Sequence, residues 1–245
     1  MPHITLPAVH WGDPGSTRRA LLVHGLTSAG TTWWRVGEAL ALDGWHVTAV
    51  DLRGNGAAPV ADSYSFADYA GDLPAGPWNV VVGHSLGGAV ATVAASRPGF
   101  AEKLVLLDPA LAVEAADLAE LLAGELAELR LDQQGFGRLR PLWHPLDIRH
   151  KAAATAQATP RMVERTIADN TPWDVLDVAA ALNTPTLIVG GDHAVYSMLP
   201  TATAEALVAG NRNLEYRVVA GSGHSPHRDR PAETLALLRK WLGRP

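Results

Sequence analysis

Short apolar runs recur along this chain, and amphipathic stretches fill the gaps between them. Ala20-Leu21-Leu22-Val23 and Lys103-Leu104-Val105-Leu106-Leu107 each read as a strand buried on both faces, and His46-Val47-Thr48-Ala49-Val50, Asn79-Val80-Val81-Val82 and Thr186-Leu187-Ile188-Val189 read as further strands. Residues 215–219 read as a last, more polar strand. Before the first run, Ile4, Leu6, Val9 and Trp11 alternate weakly ahead of the turn Gly12-Asp13-Pro14-Gly15, which suggests one or two edge strands. Helices are expected from Thr31 or Thr32 to just before Gly44, over residues 66–73, directly after Gly88, over residues 203–209 and over residues 231–242. Strands separated by helices imply parallel pairing through right-handed crossovers.

The pattern changes once. From Leu111 to about Leu182 the chain reads as helices only, with Leu118, Leu122, Leu126 and Leu129 at helical spacing and Gly124 as a weak point. Pro160 and Pro172 read as the first residues of two further helices. The chain therefore divides into a first core segment, residues 1–110, a helical insertion, residues 111–182, and a second core segment, residues 183–245. The insertion is expected to lie over the carboxyl edge of the sheet.

One turn carries candidate chemistry. The strand at residues 79–82 runs into Gly83-His84-Ser85-Leu86-Gly87-Gly88 and then into a small-residue helix, Ala89 to Ala95. Strand, sharp turn and helix with a serine at the apex is the context a nucleophile elbow requires, although a plain glycine-rich turn uses similar residues. Glycines at 83 and 87 remove Cβ atoms where strand and helix cross, so the serine can be held strained and exposed. A serine hydroxyl needs a base, and the base needs an orienting carboxylate. Functional groups of an open α/β sheet collect just past the carboxyl ends of its strands. The residues found there are His24, Asp51, Ser85, Asp108, Asp192 and His224.

His224, in a glycine-rich loop between the last strand and the last helix, is the preferred base, and His227 is its rival. Asp192 is the preferred orienting acid and gives the chain order serine, aspartate, histidine. Asp108 also ends a strand, but Pro109 follows it and it reads instead as a cap on the helical insertion. The oxyanion donors expected are the backbone amides of Leu86, at the start of a helix, and Leu26, in the turn after residue 23. His24 would support that turn by hydrogen bonding. His84 alternates away from the serine and reads as structural.

Composition narrows the choices. A net charge of −5 without a dense basic run argues against a nucleic-acid partner. The chain has no cysteine, which removes disulfides, thiolate chemistry and cysteine metal sites. No apolar stretch approaches membrane-spanning length, and residues 1–7 lack the pattern of a signal peptide. A cytoplasmic location without a membrane association is expected. The ten histidines lack paired metal-ligand spacing, so no metal is expected. No phosphate-cradling glycine loop follows the first buried run, so no nucleotide cofactor is expected either.

These motifs together resemble the α/β-hydrolase superfamily. The residues that carry the resemblance are His24-Gly25 with Trp33, Asp51-x-Arg53-Gly54-x-Gly56, Gly83 to Gly88, Gly190-Gly191-Asp192, and Gly223-His224 before Pro231. The resemblance implies an α/β-hydrolase fold with an eight-stranded, mostly parallel sheet, helices on both faces and a helical cap. It also implies a triad of Ser85, His224 and Asp192 that needs no cofactor and acts on a small-molecule carboxylic ester through an acyl-enzyme. Ala57-Ala58-Pro59 departs from the family, whose members usually carry a serine at position 58. The short stretch at residues 72–78 also departs, where relatives have a longer helix. Lactone or C–C bond hydrolysis and cofactor-free perhydrolysis use the same triad, and a non-turnover small-molecule receptor can be built on the same fold.

Substrate information is confined to the insertion. Its first part is acidic, and its second part carries Arg138, Arg140, Arg149, Lys151, Arg161 and Arg165 with Trp143, His144 and His150 interspersed. These charges read as solvated helix faces, or as cations that meet a carboxylate on the substrate. The second reading would suit a monoester of a dicarboxylic acid and resembles bacterial hydrolases of monoalkyl phthalates. His24, Trp143 and His144 are the substrate-binding candidates.

Overall fold

A computed structural model describes residues 3–243, so the outermost two residues of each core segment's range lie outside it. The chain runs through β1 (Ala8–Trp11), β2 (Arg19–Val23), a 3-10 turn (Gly30–Trp33), α1 (Trp34–Leu42), β3 (His46–Val50), α2 (Phe66–Asp72), β4 (Val80–His84), α3 (Leu86–Ala95) and β5 (Leu104–Leu107). After β5 come β6 (Ala112–Val113), α4 (Leu118–Glu128), α5 (Gln133–Leu139), α6 (Pro145–Gln157), α7 (Pro160–Asp169), β7 (Trp173–Asp174) and α8 (Leu176–Ala180). The sheet resumes with β8 (Thr186–Gly190), α9 (Thr201–Gly210), β9 (Leu214–Val218), α10 (Pro226–Asp229) and α11 (Pro231–Trp241).

Among the described residues the main sheet has seven strands in the order β1-β3-β2-β4-β5-β8-β9, and only β1 pairs antiparallel. The eight strands implied by the family resemblance are thus one too many. Ile4 and Leu6 do not form a strand: Pro7 has no N–H for a ladder, and the Ile4 amide donates to the Asp72 carboxylate at 2.8 Å instead. The apolar runs behave as their composition requires. Residues 20–23, 80–82, 104–107 and 187–189 are at most 1% exposed, because helices cover both sheet faces. One apolar cluster joins α2, α3 and the insertion to one face, and a second packs α1 and α11 on the other.

The insertion is helical but not only helical. β6 and β7 pair antiparallel, Ala112 with Asp174 and Val113 with Trp173, and so pin its two ends together. Pro172 leads into β7 rather than a helix, whereas Pro160 opens α7 with the Thr159 hydroxyl accepting from the Met162 amide at 3.2 Å. Gly124 does not break α4.

Two motif residues serve the scaffold. The Asp51 carboxylate accepts from the Gly30 amide at 2.7 Å and the Ala57 amide at 2.8 Å, which fastens the loops after β2 and β3 to each other. Arg53 donates to Asp72 at 2.7 Å, both side chains being buried.

Candidate active site

The strand order decides what surrounds Ser85. β4 lies between β2 and β5, so the turn after β2 and the residue after β5 flank the serine on either side. Among the described residues three non-glycine residues lie in the left-handed region, and each follows one of these strands: Thr27 at φ 53°, Ser85 at φ 54° and Asp108 at φ 38°. Such a conformation costs on the order of 1–3 kcal/mol and persists only where surrounding structure enforces it. At Ser85 the enforcement is close packing. A Cβ at Gly87 would sit 2.3 Å from the Val23 carbonyl oxygen, and one at Gly83 2.3 Å from that of Gly87. Leu86 then opens α3. Its amide is among the first N–H groups of that helix, which have no partner within the helix and lie at its positive end.

His224 donates from Nδ1 to Asp108 Oδ2 at 2.7 Å. Asp108 is fully buried. It also accepts from the Met198 amide at 2.9 Å, from the Gly191 amide at 3.1 Å and from the Ser197 hydroxyl. Burial pushes its carboxyl up, but the hydrogen bond and charge of His224, with the Ser197 and Met198 donors, outweigh this and hold it below its ordinary value.

Asp192, expected from the sequence to orient His224, does not do so. Its carboxylate accepts from the Gly221 amide at 2.8 Å and the Ala194 amide at 2.9 Å, and these two donors hold its pKa down. Asp192 thereby ties the β8 loop to the start of the His224 loop, while Asp108 takes the imidazole.

The histidines near the serine divide by role. His84 donates from Nε2 to the His224 carbonyl at 2.8 Å, and its ring packs 4.8 Å from those of His224 and His227. Burial pushes His84 and His227 well below the ordinary histidine value, and neighbouring positive groups add to the effect. His227 stacks on Trp33 at 4.8 Å, and it is His224, not His227, that meets the Asp108 carboxylate.

His24 is 1% exposed, and backbone occupies both its nitrogens. Nε2 accepts from the Leu52 amide at 3.0 Å and Nδ1 donates to the Gly25 carbonyl at 2.7 Å. Burial lowers its pKa to about 4. It supports the turn that carries Leu26 and is not free to bind substrate.

The insertion holds the same turn from above. Lys151 donates to the Thr27 hydroxyl at 2.8 Å and to its carbonyl at 3.2 Å, and Thr155 donates to that carbonyl at 3.2 Å. Ser85, His224, Leu26 and Trp143 share the lining of one small cavity. Trp143 is anchored there by donation to Asp229 at 2.6 Å. His144 is exposed; it caps α6 by accepting from the Leu146 amide at 3.2 Å and leans on Trp34. Trp143 thus stands at the site, whereas His144 does not. Arg228, which the sequence reading passed over, lines the same cavity. Its place beside His227 and Asp229 in the loop of the candidate base was the available signal.

A model of the alpha/beta hydrolase family matches residues 20–237. The chain belongs to the alpha/beta hydrolase family. This alpha/beta hydrolase is 38% identical over 125 residues to Lipase LipV of Mycobacterium tuberculosis, a stretch covering 46% of each chain. It therefore spans less than half the length of that curated relative. Among solved structures it is similar to E-2-(acetamidomethylene)succinate hydrolase, with a TM-score of 0.85, 23% identity and coverage of 98% of this chain and 95% of the other. It is also similar to the esterase EaEST of Exiguobacterium antarcticum, with a TM-score of 0.79, 17% identity and 99% coverage of both chains. These two likenesses bear on the fold. Among the described residues, no helix is long and apolar enough to cross a membrane.

Proposed function

We propose that this alpha/beta hydrolase cleaves carboxylic esters through an acyl-enzyme formed on Ser85. The observation that carries the reading is the left-handed Ser85 at the head of α3, sharing a cavity with a His224 that is fixed at Nδ1 by the buried Asp108. With Nδ1 carrying a proton donated to Asp108, Nε2 of His224 is left as the basic nitrogen. His224 takes the Ser85 hydroxyl proton as the oxygen attacks the ester carbonyl. The amides of Leu26 and Leu86 receive the oxyanion of the tetrahedral intermediate. Its collapse breaks the bond to the alcohol, which leaves with the proton from His224. Water, deprotonated by His224, then releases the acid and restores Ser85.

The family and the partial likeness to a lipase support the ester reading over other bonds cleaved by the same machinery. A panel of chromogenic short-chain esters tests it. Multiple turnover is expected in the wild type, with a loss on the order of 10^6-fold in kcat for Ser85→Ala. Turnover that survives Ser85→Ala would overturn the mechanism. A single stoichiometric burst without turnover would favour a receptor instead.

A further inference from the structure

Ser85 lies where two cavities of unlike character meet. The larger, about 620 Å³, is lined by apolar residues such as Val113, Leu121, Leu176 and Leu199. The charged residues found only in its lining are acidic: Glu114, Asp117 and Glu120, all exposed. The smaller, about 60 Å³, lies against Gly25, Leu26 and Ser28; the charged residues found only in its lining are Lys151 and Arg228, while Arg140, Glu125 and Glu128 line both cavities.

The charges of the small cavity do not balance. Glu128 serves two cations, Lys151 at 2.9 Å and Arg140 at 3.9 Å. Burial, with Glu128 alongside, raises the pKa of Glu125 against the pull of Lys151 and moves its carboxyl toward the neutral form. Arg228 is 5% exposed and has no carboxylate oxygen within 4.0 Å among the described residues. Among the described residues its Nε is buried without a partner, and the only hydrogen bond its side chain makes is a 3.5 Å contact to the Ser28 hydroxyl. Asp229 next to it is engaged elsewhere, by Trp143 at 2.6 Å and the Gly223 amide at 2.8 Å. Asp147, Asp229 and Glu128 act on it only from beyond ion-pair distance and Trp143 lies over it at 5.0 Å, so burial still outweighs these partners, and a carboxylate is the group its planar fork fits best.

The geometry points to the small cavity as a subsite for a carboxylate carried by the substrate, with Arg228 as its main partner. The ester then has a free carboxylate at one end and an apolar group, seated in the large cavity, at the other, as in a monoester of a dicarboxylic acid. The volume suits this assignment: about 60 Å³ holds roughly four water-sized groups, enough for a carboxylate and a carbon or two. The acidic lining of the large cavity opposes the reverse orientation. This inference rests on the ester-hydrolase reading and names its substrate class.

The test compares kcat/KM for monobutyl succinate, dibutyl succinate and a butyrate ester of a quaternary ammonium alcohol. The wild type is expected to prefer the half-ester by about tenfold or more, and Arg228→Met to lower the half-ester to diester ratio by roughly 100-fold. Arg228→Lys should retain part of the ratio. A wild-type preference for the diester or the cationic ester, or a ratio unchanged in Arg228→Met, would overturn the subsite. Should Arg228→Met fail to fold, the wild type decides alone. Glutarate should inhibit turnover of 4-nitrophenyl butyrate more strongly than glutaramide, and equal inhibition would overturn the inference. Turnover surviving in Ser85→Ala marks a different failure, that of the hydrolase reading. Glutarate binding to Ser85→Ala, followed by calorimetry, tests the subsite independently of it.

Discussion

Two aspartates end neighbouring parallel strands, and the protein uses them differently. Asp108 follows β5 in a left-handed conformation, fully buried, with backbone and side-chain donors converging on its carboxylate and His224 among them. Asp192 follows β8 at the surface and spends its carboxylate on the Gly221 and Ala194 amides. The loop that carries Asp192 still serves the site. Its Gly191 amide, its Ser197 hydroxyl and its Met198 amide all donate to Asp108. One strand end supplies the acid, and the next supplies the cradle that holds it ionised. A loop can thus hold a buried carboxylate in place without providing it.

This contrast can be broken at either aspartate or at the cradle. The largest effect is expected at Asp108→Asn, which keeps the shape but no longer fixes the His224 tautomer. A loss on the order of 10^4-fold in kcat is expected on a chromogenic ester. Gly191→Ala comes next. Its Cβ would sit 2.6 Å from the Gly223 carbonyl oxygen and 2.8 Å from that of Tyr196, so the cradle and the His224 loop must part. A displacement of this kind at a catalytic pair costs about 10^2-fold, and kcat should fall with little change in KM. Asp192→Asn should do least. The amide oxygen still accepts from one of the two backbone N–H groups, the bond lost lies in a half-buried loop away from His224, and the rate should stay within about threefold of wild type.

The sequence carried the parts of this site that chain-local pattern can specify. Ser85 stands in a strand-turn-helix context, His224 in a glycine-rich loop before a helix, and the apolar runs marked their strands closely. Asp108 was a candidate too, but both aspartates fall between Ser85 and His224 in the chain, so their order could not separate them. What separates them is lateral: β5 lies beside β4, and Asp108 turns back under the histidine at φ 38°. Neither fact leaves a trace in local composition, and Pro109 after Asp108 suggested a helix cap instead. Arg228 escaped for a related reason. A single arginine in a loop reads as solvated, and only folding reveals that Trp143, from the insertion, covers it at 5.0 Å. His24 and His144 belong to the expected binding set, whereas backbone bonds occupy both ring nitrogens of His24 and His144 spends Nδ1 on capping α6.

The central claim is that His224 works with Asp108 and not with Asp192. The most direct test is kcat/KM for Asp108→Asn and Asp192→Asn, measured side by side on one ester with both variants folded. Asp192→Asn should exceed Asp108→Asn by three to four orders of magnitude. A ratio near one, or a larger loss in Asp192→Asn, would contradict the assignment.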